Sequence, residues 1–232
     1  MGKDCTDDMI TSSANQQMKH LSQLMKRAKE RKKEQVFVVE GIKMFQEAPA
    51  DTVVYVYVSE SFLEKPEHEK CLQGYRYEVV SDAVFREISD TQTPQGILAI
   101  VRMPKYDLPD LLQGDRTHLL ILESVQDPGN LGTMVRTGEG AGITGIIMNK
   151  TTVDLFNPKT IRSTMGSIYR VPYLITEHLP DLLDELHKEN IRLSAAAVKG
   201  DTFYDAVEFT GACGFLIGNE GNGLSDEIAE CA

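Results

Sequence analysis

Gln126-Asp-Pro-Gly-Asn-Leu-Gly-Thr-Met-Val-Arg136 is the stretch that decides the fold. The apolar run Leu119–Val125 before it predicts a strand. The pattern after it predicts a helix from Asn130 to about Ala141, and Thr144–Met148 predicts a second strand. Asn130 suits the N-cap, because its side-chain oxygen can accept a backbone N–H of the first turn. The stretch therefore predicts a βαβ unit, with Arg136 on the polar face of the helix.

Strand and helix patterns alternate on both sides of this unit, which predicts an α/β protein. We expect four parts: a disordered tail (1–13), an N-terminal α/β domain (14–102), a linker (103–118) and a second α/β domain (119–232). The first domain should begin with one amphipathic helix, from Asn15 to about Arg31. Near the end of the chain, Ser225 should cap a final helix.

Composition restricts the classes of protein to consider. No apolar run approaches the ~18 residues that a membrane span needs, and the N-terminus has no apolar signal segment. The four cysteines lie far apart without a Cys-x-x-Cys pair, and the five histidines form no metal-ligand spacing. We therefore expect a cytoplasmic protein with reduced thiols, no membrane partner and no metal.

Charge is distributed unevenly along the chain. The net charge is −11, which argues against a protein that coats nucleic acid over its whole surface. Between Lys19 and Lys33, however, seven basic residues stand against one acidic residue. A solvated helix face is the ordinary interpretation of such a run. The alternative is a local patch that contacts phosphates on an otherwise acidic protein.

Three loops follow strands of the second domain: Gln126–Asn130, Ala197–Gly200 and Gly218–Gly223. Because ligands bind at the carboxyl ends of strands in open α/β sheets, these loops should line one crevice. The Gly-rich third loop lets the backbone approach a ligand, although a plain tight turn is the alternative. No phosphate-binding motif occurs in the chain, and the carboxylate of Asp127 would repel an anion. A neutral or cationic ligand fits better.

These residues carry a resemblance to a known family. The Asn130 to Arg136 spacing after Asp-Pro-Gly, together with Gly218-x-Glu220-x-x-Gly223, resembles the first two motifs of SpoU/TrmH-type RNA methyltransferases of the SPOUT superfamily. The segments between them are also similar, with Asn157-Pro158-Lys159, Arg162–Ser167 and Arg170-Val-Pro172. The first domain resembles the family's substrate-binding domain in Asn15, the basic run, Phe37-Val-Val-Glu40-Gly41 and Gln95-Gly-Ile97. The resemblance covers about residues 10–230.

The resemblance implies a trefoil-knot methyltransferase domain that acts as a homodimer. It would transfer a methyl group from S-adenosylmethionine to a ribose 2′-hydroxyl of ribosomal RNA, with transfer RNA as the less favoured substrate. The implied catalytic residues are Arg136, Asn130 and Glu220. The implied cofactor-binding residues are Gly218, Asn219, Gly221, Gly223, Ala196, Ala197 and Ile217. The RNA-binding residues would be Asn15, Lys26, Arg27, Lys29, Arg31, Lys32, Lys33 and Arg162.

A guanidinium is a weak base at neutral pH. Arg136 should therefore first position phosphate and stabilise the developing alkoxide, and should remove a proton only when it is desolvated. Glu220 should orient Arg136 or Asn130 by a charge-assisted hydrogen bond.

The sequence departs from the family in one respect. The third motif, a Pro-Met turn followed by Ser-Leu-Asn and a cofactor-cupping helix, has no counterpart in these 232 residues. We therefore expect an incomplete knot, weak cofactor binding and reduced or no activity. The alternative function is a non-catalytic RNA-binding or ribosome-assembly factor on the same fold. A nucleotide-binding enzyme is disfavoured because the phosphate motifs are missing.

Overall fold

The computed structural model describes residues 9–198, 200 and 202–232. Its strands are β1 (Val36–Glu40), β2 (Val53–Ser59), β3 (Tyr77–Val80), β4 (Ile97–Arg102), β5 (His118–Leu122), β6 (Gly145–Asn149), β7 (Tyr173–Thr176), β8 (Arg192–Ala195) and β9 (Cys213–Ile217). Its α-helices are α1 (Gln16–Lys26), α2 (Ala28–Glu34), α3 (Ile42–Glu47), α4 (Pro66–Cys71), α5 (Asp82–Ile88), α6 (Leu108–Leu111), α7 (Pro128–Ala141), α8 (Pro158–Thr164), α9 (Leu179–Lys188) and α10 (Asp226–Ala229). None of the helices in these ranges is long and apolar enough to cross a membrane.

The chain forms two compact units. The first contains the described residues up to Pro104 together with Phe156–Tyr169. The second contains Lys105–Leu155 and the described residues of Arg170–Ala232. This division differs from the predicted boundaries, which place residues 156–169 in the second domain and treat 103–118 as a linker.

The first unit is built on a mixed sheet. Its strand order is β1-β4-β2-β3, with β4 antiparallel to both of its neighbours and β2 parallel to β3. Helices α1 and α5 cover one face through buried apolar side chains that include Leu21, Leu24 and Phe85. This face accounts for the helical spacing of apolar residues near the start of the chain.

Aromatic packing brings residues 156–169 into the first unit. The rings of Phe156 and Tyr169 lie 4.8 and 6.3 Å from the ring of Phe37 on β1, measured between centroids. The Tyr169 hydroxyl donates to the carbonyl of Met44 at 2.8 Å, and burial raises the pKa of that hydroxyl. The segment therefore completes the core of the first unit, which its position in the sequence did not indicate.

Part of the predicted disordered tail is ordered. Residues 1–8 lie outside the described chain. Ile10 is buried, its N–H donates to Val79 at 2.9 Å, and its carbonyl accepts from Ser81 at 2.9 Å. The expectation of disorder over 1–13 is thus wrong at Ile10, because an apolar side chain and two backbone hydrogen bonds fix it against β3.

The single helix predicted from Asn15 to Arg31 is broken. Arg27 is extended (φ −124, ψ 109) and separates α1 from α2. The Nη1 atom of buried Arg31 donates to the carbonyls of Leu24 and Met25, at 2.6 and 2.9 Å. Arg31 therefore satisfies carbonyls that the break leaves without helical partners.

The second unit is built on a five-stranded parallel sheet of order β7-β6-β5-β9-β8. Helices α6, α9 and α10 contribute to the core on one face. The predicted linker belongs to this core, since Leu111 is fully buried and its carbonyl accepts from the Thr144 hydroxyl at 2.7 Å. The chain runs from β5 outward through β6 to β7, then returns to the other side of β5. The carboxyl ends of β5 and β9 therefore flank the topological switch point, where open α/β sheets bind ligands.

We predict that Arg31→Ala lowers the free energy of unfolding by about 1–3 kcal/mol, because two buried carbonyls lose a charged donor. Urea denaturation followed by circular dichroism measures this change. Exposed Lys32→Ala serves as the control and should stay within about 0.5 kcal/mol of wild type. Equal stability of the two variants would contradict the assignment of Arg31 to the helix break.

Candidate functional site

The Glu220 carboxylate lies at the centre of the switch-point site. It accepts from the backbone N–H of Gln126 at 3.0 Å and of Asp127 at 2.9 Å, and from the Asn130 side-chain amide at 3.2 Å. These donors precede or begin α7, whereas Glu220 follows β9. The contacts therefore fasten the loop after β9 to the turn after β5.

Those hydrogen bonds also lower the pKa of Glu220 to about 2. The N–H groups of Gln126 and then Asp127 make the largest contributions, because each stabilises the ionised form. A helix N-terminus commonly binds an external anion. Here the chain's own carboxylate occupies the donors at the start of α7, so the site does not suit a phosphate.

The glycine-rich loop is closed on itself. Asn219 and Gly223 exchange two backbone hydrogen bonds of 2.9 Å, and the Asn219 side-chain oxygen accepts from the N–H groups of Gly221 and Asn222. The Asn219 amide nitrogen donates to the Ser124 carbonyl at 2.9 Å. A Cβ on Gly218 would approach the Gly223 carbonyl carbon to 2.1 Å, so only glycine fits there. The loop is thus a shaped part of the site, tied to the end of β5.

The structure corrects the start of α7. Pro128 is its first residue and Asp127 its N-cap, with the Asp127 side chain accepting from the Asn130 N–H at 2.8 Å. The prediction of Asn130 as N-cap is wrong, because Pro128 is pre-set for the first helical position. The preference of proline for the first helical position is a sequence signal that places the start of α7 at Pro128. Asn130 instead directs its side chain to Glu220.

Other contacts of the site were not predicted from the sequence. The Glu123 carboxylate accepts from the N–H and the hydroxyl of Ser225, at 2.8 and 2.7 Å. Ser225 also caps α10 by accepting from Ile228, as the sequence predicted. The Gln126 amide donates to the carbonyls of Ser124 and Thr151. No local pattern identifies these contacts, because partners such as Glu123 and Ser225 lie about a hundred positions apart in the chain.

Arg136 lies on the exposed face of α7, two turns from its start. Among the residues that the structure describes, it forms no hydrogen bond or ion pair. Of the two partners predicted for Glu220, only Asn130 is in contact. The catalytic role of Arg136 remains a prediction.

The residues predicted to bind cofactor lie at two adjacent strand ends. Ile217 ends β9, and Ala196 and Ala197 follow β8, with the Ala196 N–H donating to Leu216 at 3.0 Å. Because β8 and β9 are parallel neighbours, these residues share the sheet edge that carries Gly218, Asn219, Gly221 and Gly223. Their role in cofactor binding is not tested by this arrangement.

The residues predicted to bind RNA divide into two groups. The side chains of Lys26, Arg27, Lys29, Lys32 and Lys33 are exposed, whereas Arg31 is buried and bound to backbone carbonyls. The prediction that Arg31 contacts RNA is therefore wrong, because its guanidinium holds the helix break. Asn15 caps α1 by accepting from Gln17 at 2.8 Å, and half-buried Arg162 pairs with Asp90 at 2.6 Å. In the described chain, no group of three potential ligand side chains could hold a metal ion.

Comparisons with known proteins identify both parts of the chain. Residues 117–232 match the model of the SpoU rRNA methylase family, and residues 15–99 match an MRM3-like substrate-binding domain. A Bacillus subtilis protein named 23S rRNA (guanosine(2553)-2′-O)-methyltransferase RlmP is 32% identical over 95% of this chain and 86% of its own length.

Solved structures agree with these matches. A crystal structure of an rRNA methyltransferase from Sinorhizobium meliloti has a TM-score of 0.84 at 27% identity, over 97% of this chain and 86% of that one. An AdoMet-bound rRNA methyltransferase from the same organism has a TM-score of 0.79 at 26% identity, over 96% and 85% of the two chains. The predicted SPOUT-type α/β fold with an N-terminal domain is confirmed, whereas the incomplete knot stays a prediction.

We predict that Glu220→Gln destabilises the chain in a pH-dependent manner. The pKa of Glu220 in the folded state, about 2, lies below its ordinary value of 4.5. The stabilisation from its ionised form is thus present above about pH 5 and is lost as pH falls towards 2. The difference in free energy of unfolding between wild type and variant should shrink over that range in urea titrations. Exposed Glu185→Gln on α9 is the control, and a pH-independent effect of Glu220→Gln would contradict the assignment.

Proposed function

We propose that this chain, which belongs to the SpoU rRNA methylase family, transfers a methyl group from S-adenosylmethionine to a ribose 2′-hydroxyl of ribosomal RNA. The observation that carries the proposal is the convergence of the loops after β5 and β9 at the switch point, held by Glu220. The relatives named above are rRNA methyltransferases, and RlmP by its name modifies a guanosine of 23S rRNA. Transfer RNA is the less favoured substrate.

The chemistry of the switch-point edge fits the proposed cofactor. S-adenosylmethionine supplies an electrophilic methyl group on a positively charged sulfur. The carboxylates of Glu123 and Glu220 make this edge suited to a cation, and Glu220 already occupies the donors that an anion would use. The backbone at Ile217–Asn219 and at Ala196–Ala197 would hold the cofactor. Gly218 allows the loop its tight course there.

Arg136 would act on the RNA rather than on the cofactor. A ribose hydroxyl becomes a good nucleophile only as its proton leaves and negative charge develops on oxygen. The guanidinium can stabilise that charge and hold the adjacent phosphate through its planar set of donors. Exposure of Arg136 on α7 leaves it accessible to a large substrate. Asn130 and Glu220 would fix the turn from which α7 projects.

The basic face of α1 and α2 would bind the RNA backbone. It consists of exposed Lys26, Arg27, Lys29, Lys32 and Lys33. A local basic surface on a chain of net charge −11 would direct RNA to one part of the protein. Homodimer formation, which the family resemblance implies, and a cytoplasmic location, which the composition predicts, complete the proposal.

We expect Arg136→Ala to lower kcat for methyl transfer by about 10²-fold or more, because it removes charge stabilisation from the transition state. Arg136→Lys should retain part of the rate, since the charge remains while the planar donor set is lost. Incorporation from labelled S-adenosylmethionine into unmodified 23S rRNA, at cofactor concentrations well above micromolar, measures the effect.

The exposed Arg116→Ala variant is the control and should keep the wild-type rate. Equal incorporation by wild type and Arg136→Ala would exclude Arg136 as catalytic. RNA binding without any incorporation by a chain that also contains the third motif would favour the alternative, a non-catalytic RNA-binding or assembly factor.

Replacing Lys26, Lys29 and Lys32 together by alanine should weaken RNA binding and its dependence on salt. Removing one lysine that neutralises a phosphate should reduce the slope of log K against log salt by about 0.7–0.9. Replacing exposed Lys65, Lys70 and Lys105 changes the net charge equally and serves as the control. An unchanged slope in the Lys26, Lys29 and Lys32 variant would show that the basic run is an ordinary solvated helix face.

A further inference from the structure

A groove of about 360 Å³ opens in the first unit, and none of its lining residues belongs to α1 or α2. Three parts of the chain form it: the turn from β1 into α3, the loop before β4 and the end of α8. Its lining includes Gly41, Met44, Gln95, Arg162 and Met165. The groove falls within the size range of small-ligand pockets, which is about 300–1,000 Å³.

A buried carboxylate holds the loop that forms one wall of the groove. The Glu40 side chain accepts from the Thr91 hydroxyl at 2.5 Å, from the Asp90 N–H at 3.2 Å and from the Ser89 hydroxyl. All three donors belong to the loop. Because Glu40 is buried and its oxygens are engaged, it shapes the wall and does not act as a ligand-binding anion.

Gln95 is held in a fixed orientation beside this wall. Its side-chain oxygen accepts from the Ile42 N–H at 2.8 Å, which assigns the amide nitrogen to the other side. Gly41 has φ +99, and a Cβ there would come to 3.0 Å from that oxygen, so glycine lets Gln95 lie close to the turn. Since Gln95 lines the groove, its amide NH₂ is a positioned donor for a carbonyl or ring nitrogen.

The rest of the lining combines apolar and cationic groups. Met44 is buried, and Met165 is 44% exposed at the groove. Met side chains pack adaptably against flat aromatic systems. At the rim, the Arg162 guanidinium pairs with Asp90 at 2.6 Å, and the ammonium of exposed Lys43 lies 3.7 Å from the Glu47 carboxylate. An apolar floor and a fixed donor match a nucleobase, and the rim cations Arg162 and Lys43, each within an ion pair, are the groups that flanking phosphates could contact.

We propose that this groove binds one unpaired nucleotide of the RNA substrate, with the base against Met44 and Met165 and the flanking phosphates near Lys43 and Arg162. The identification of the ligand as RNA rests on the proposed function. Specific RNA recognition relies on unpaired bases that are splayed out, stacked on aromatic rings or Arg guanidinium planes and hydrogen-bonded at their edges, and the Gln95 amide can make the edge contact here. The groove would thus hold a nucleotide outside the helical parts of the RNA.

Methyl-labelled methionine NMR tests this proposal on the wild-type protein. The probes are single-stranded hexauridylate, hexaadenylate and a ribose-phosphate hexamer without bases. The Met44 and Met165 methyl resonances should shift with at least one base-bearing hexamer and not with the abasic one, while buried Met148 of the second unit stays unchanged. No shift with either base-bearing hexamer, or equal shifts with the abasic hexamer, would overturn the proposal.

A variant separates the groove from the methyl-transfer site. Met165→Asn removes the apolar side chain while asparagine tolerates the left-handed backbone at φ +52. It should weaken binding of the base-bearing hexamer at least fivefold and raise KM for RNA while keeping kcat, unlike Arg136→Ala. Met103→Asn, outside the groove, is the matched control. An unchanged affinity of Met165→Asn would overturn the groove alone, whereas base-dependent shifts without any methyl transfer by a chain that also contains the third motif would overturn the proposed function alone.

Discussion

The Glu220 carboxylate joins two loops that are separated by more than ninety positions in the chain. It accepts backbone N–H groups at the entrance to α7, so the turn after β5 and the loop after β9 have one relative arrangement. Its pKa near 2 keeps it ionised, and therefore a strong acceptor, throughout the neutral range. This interaction fixes the position of the glycine-rich loop and the direction of α7, from which the Arg136 side chain projects.

Charge serves different purposes at different positions of the same chain. Arg31 is buried and supplies donors to carbonyls at the break between α1 and α2, whereas the neighbouring Lys29, Lys32 and Lys33 remain exposed. Burial of a guanidinium requires hydrogen-bond partners that satisfy its charge, and the broken helix provides them. Because Arg31 is buried, fewer basic side chains are available to contact phosphates. Arg31 nevertheless helps to fix the arrangement of those that are exposed.

Residues 156–169 belong to the first unit, although the residues on both sides of them in the sequence belong to the second. Phe156 and Tyr169 complete the core against Phe37, and Arg162 and Met165 line the groove beside Gln95. One short segment therefore supplies both packing and polar chemistry to the first unit. Its chain connections lead on both sides to residues of the second unit.

The sequence by itself determined the α/β class, the βαβ unit at Gln126–Arg136, the cap at Ser225 and the family, because apolar periodicity and short motifs are local properties of the chain. It also predicted that Asn130 and Glu220 lie at one sheet edge, because both follow strands and ligands bind at the carboxyl ends of strands. Only the tertiary structure decided that Glu220 binds the backbone of Gln126 and Asp127 rather than Arg136, and that Arg31 is buried. Those outcomes depend on which distant groups meet in three dimensions, since a charged side chain takes the donors or acceptors that folding brings within reach.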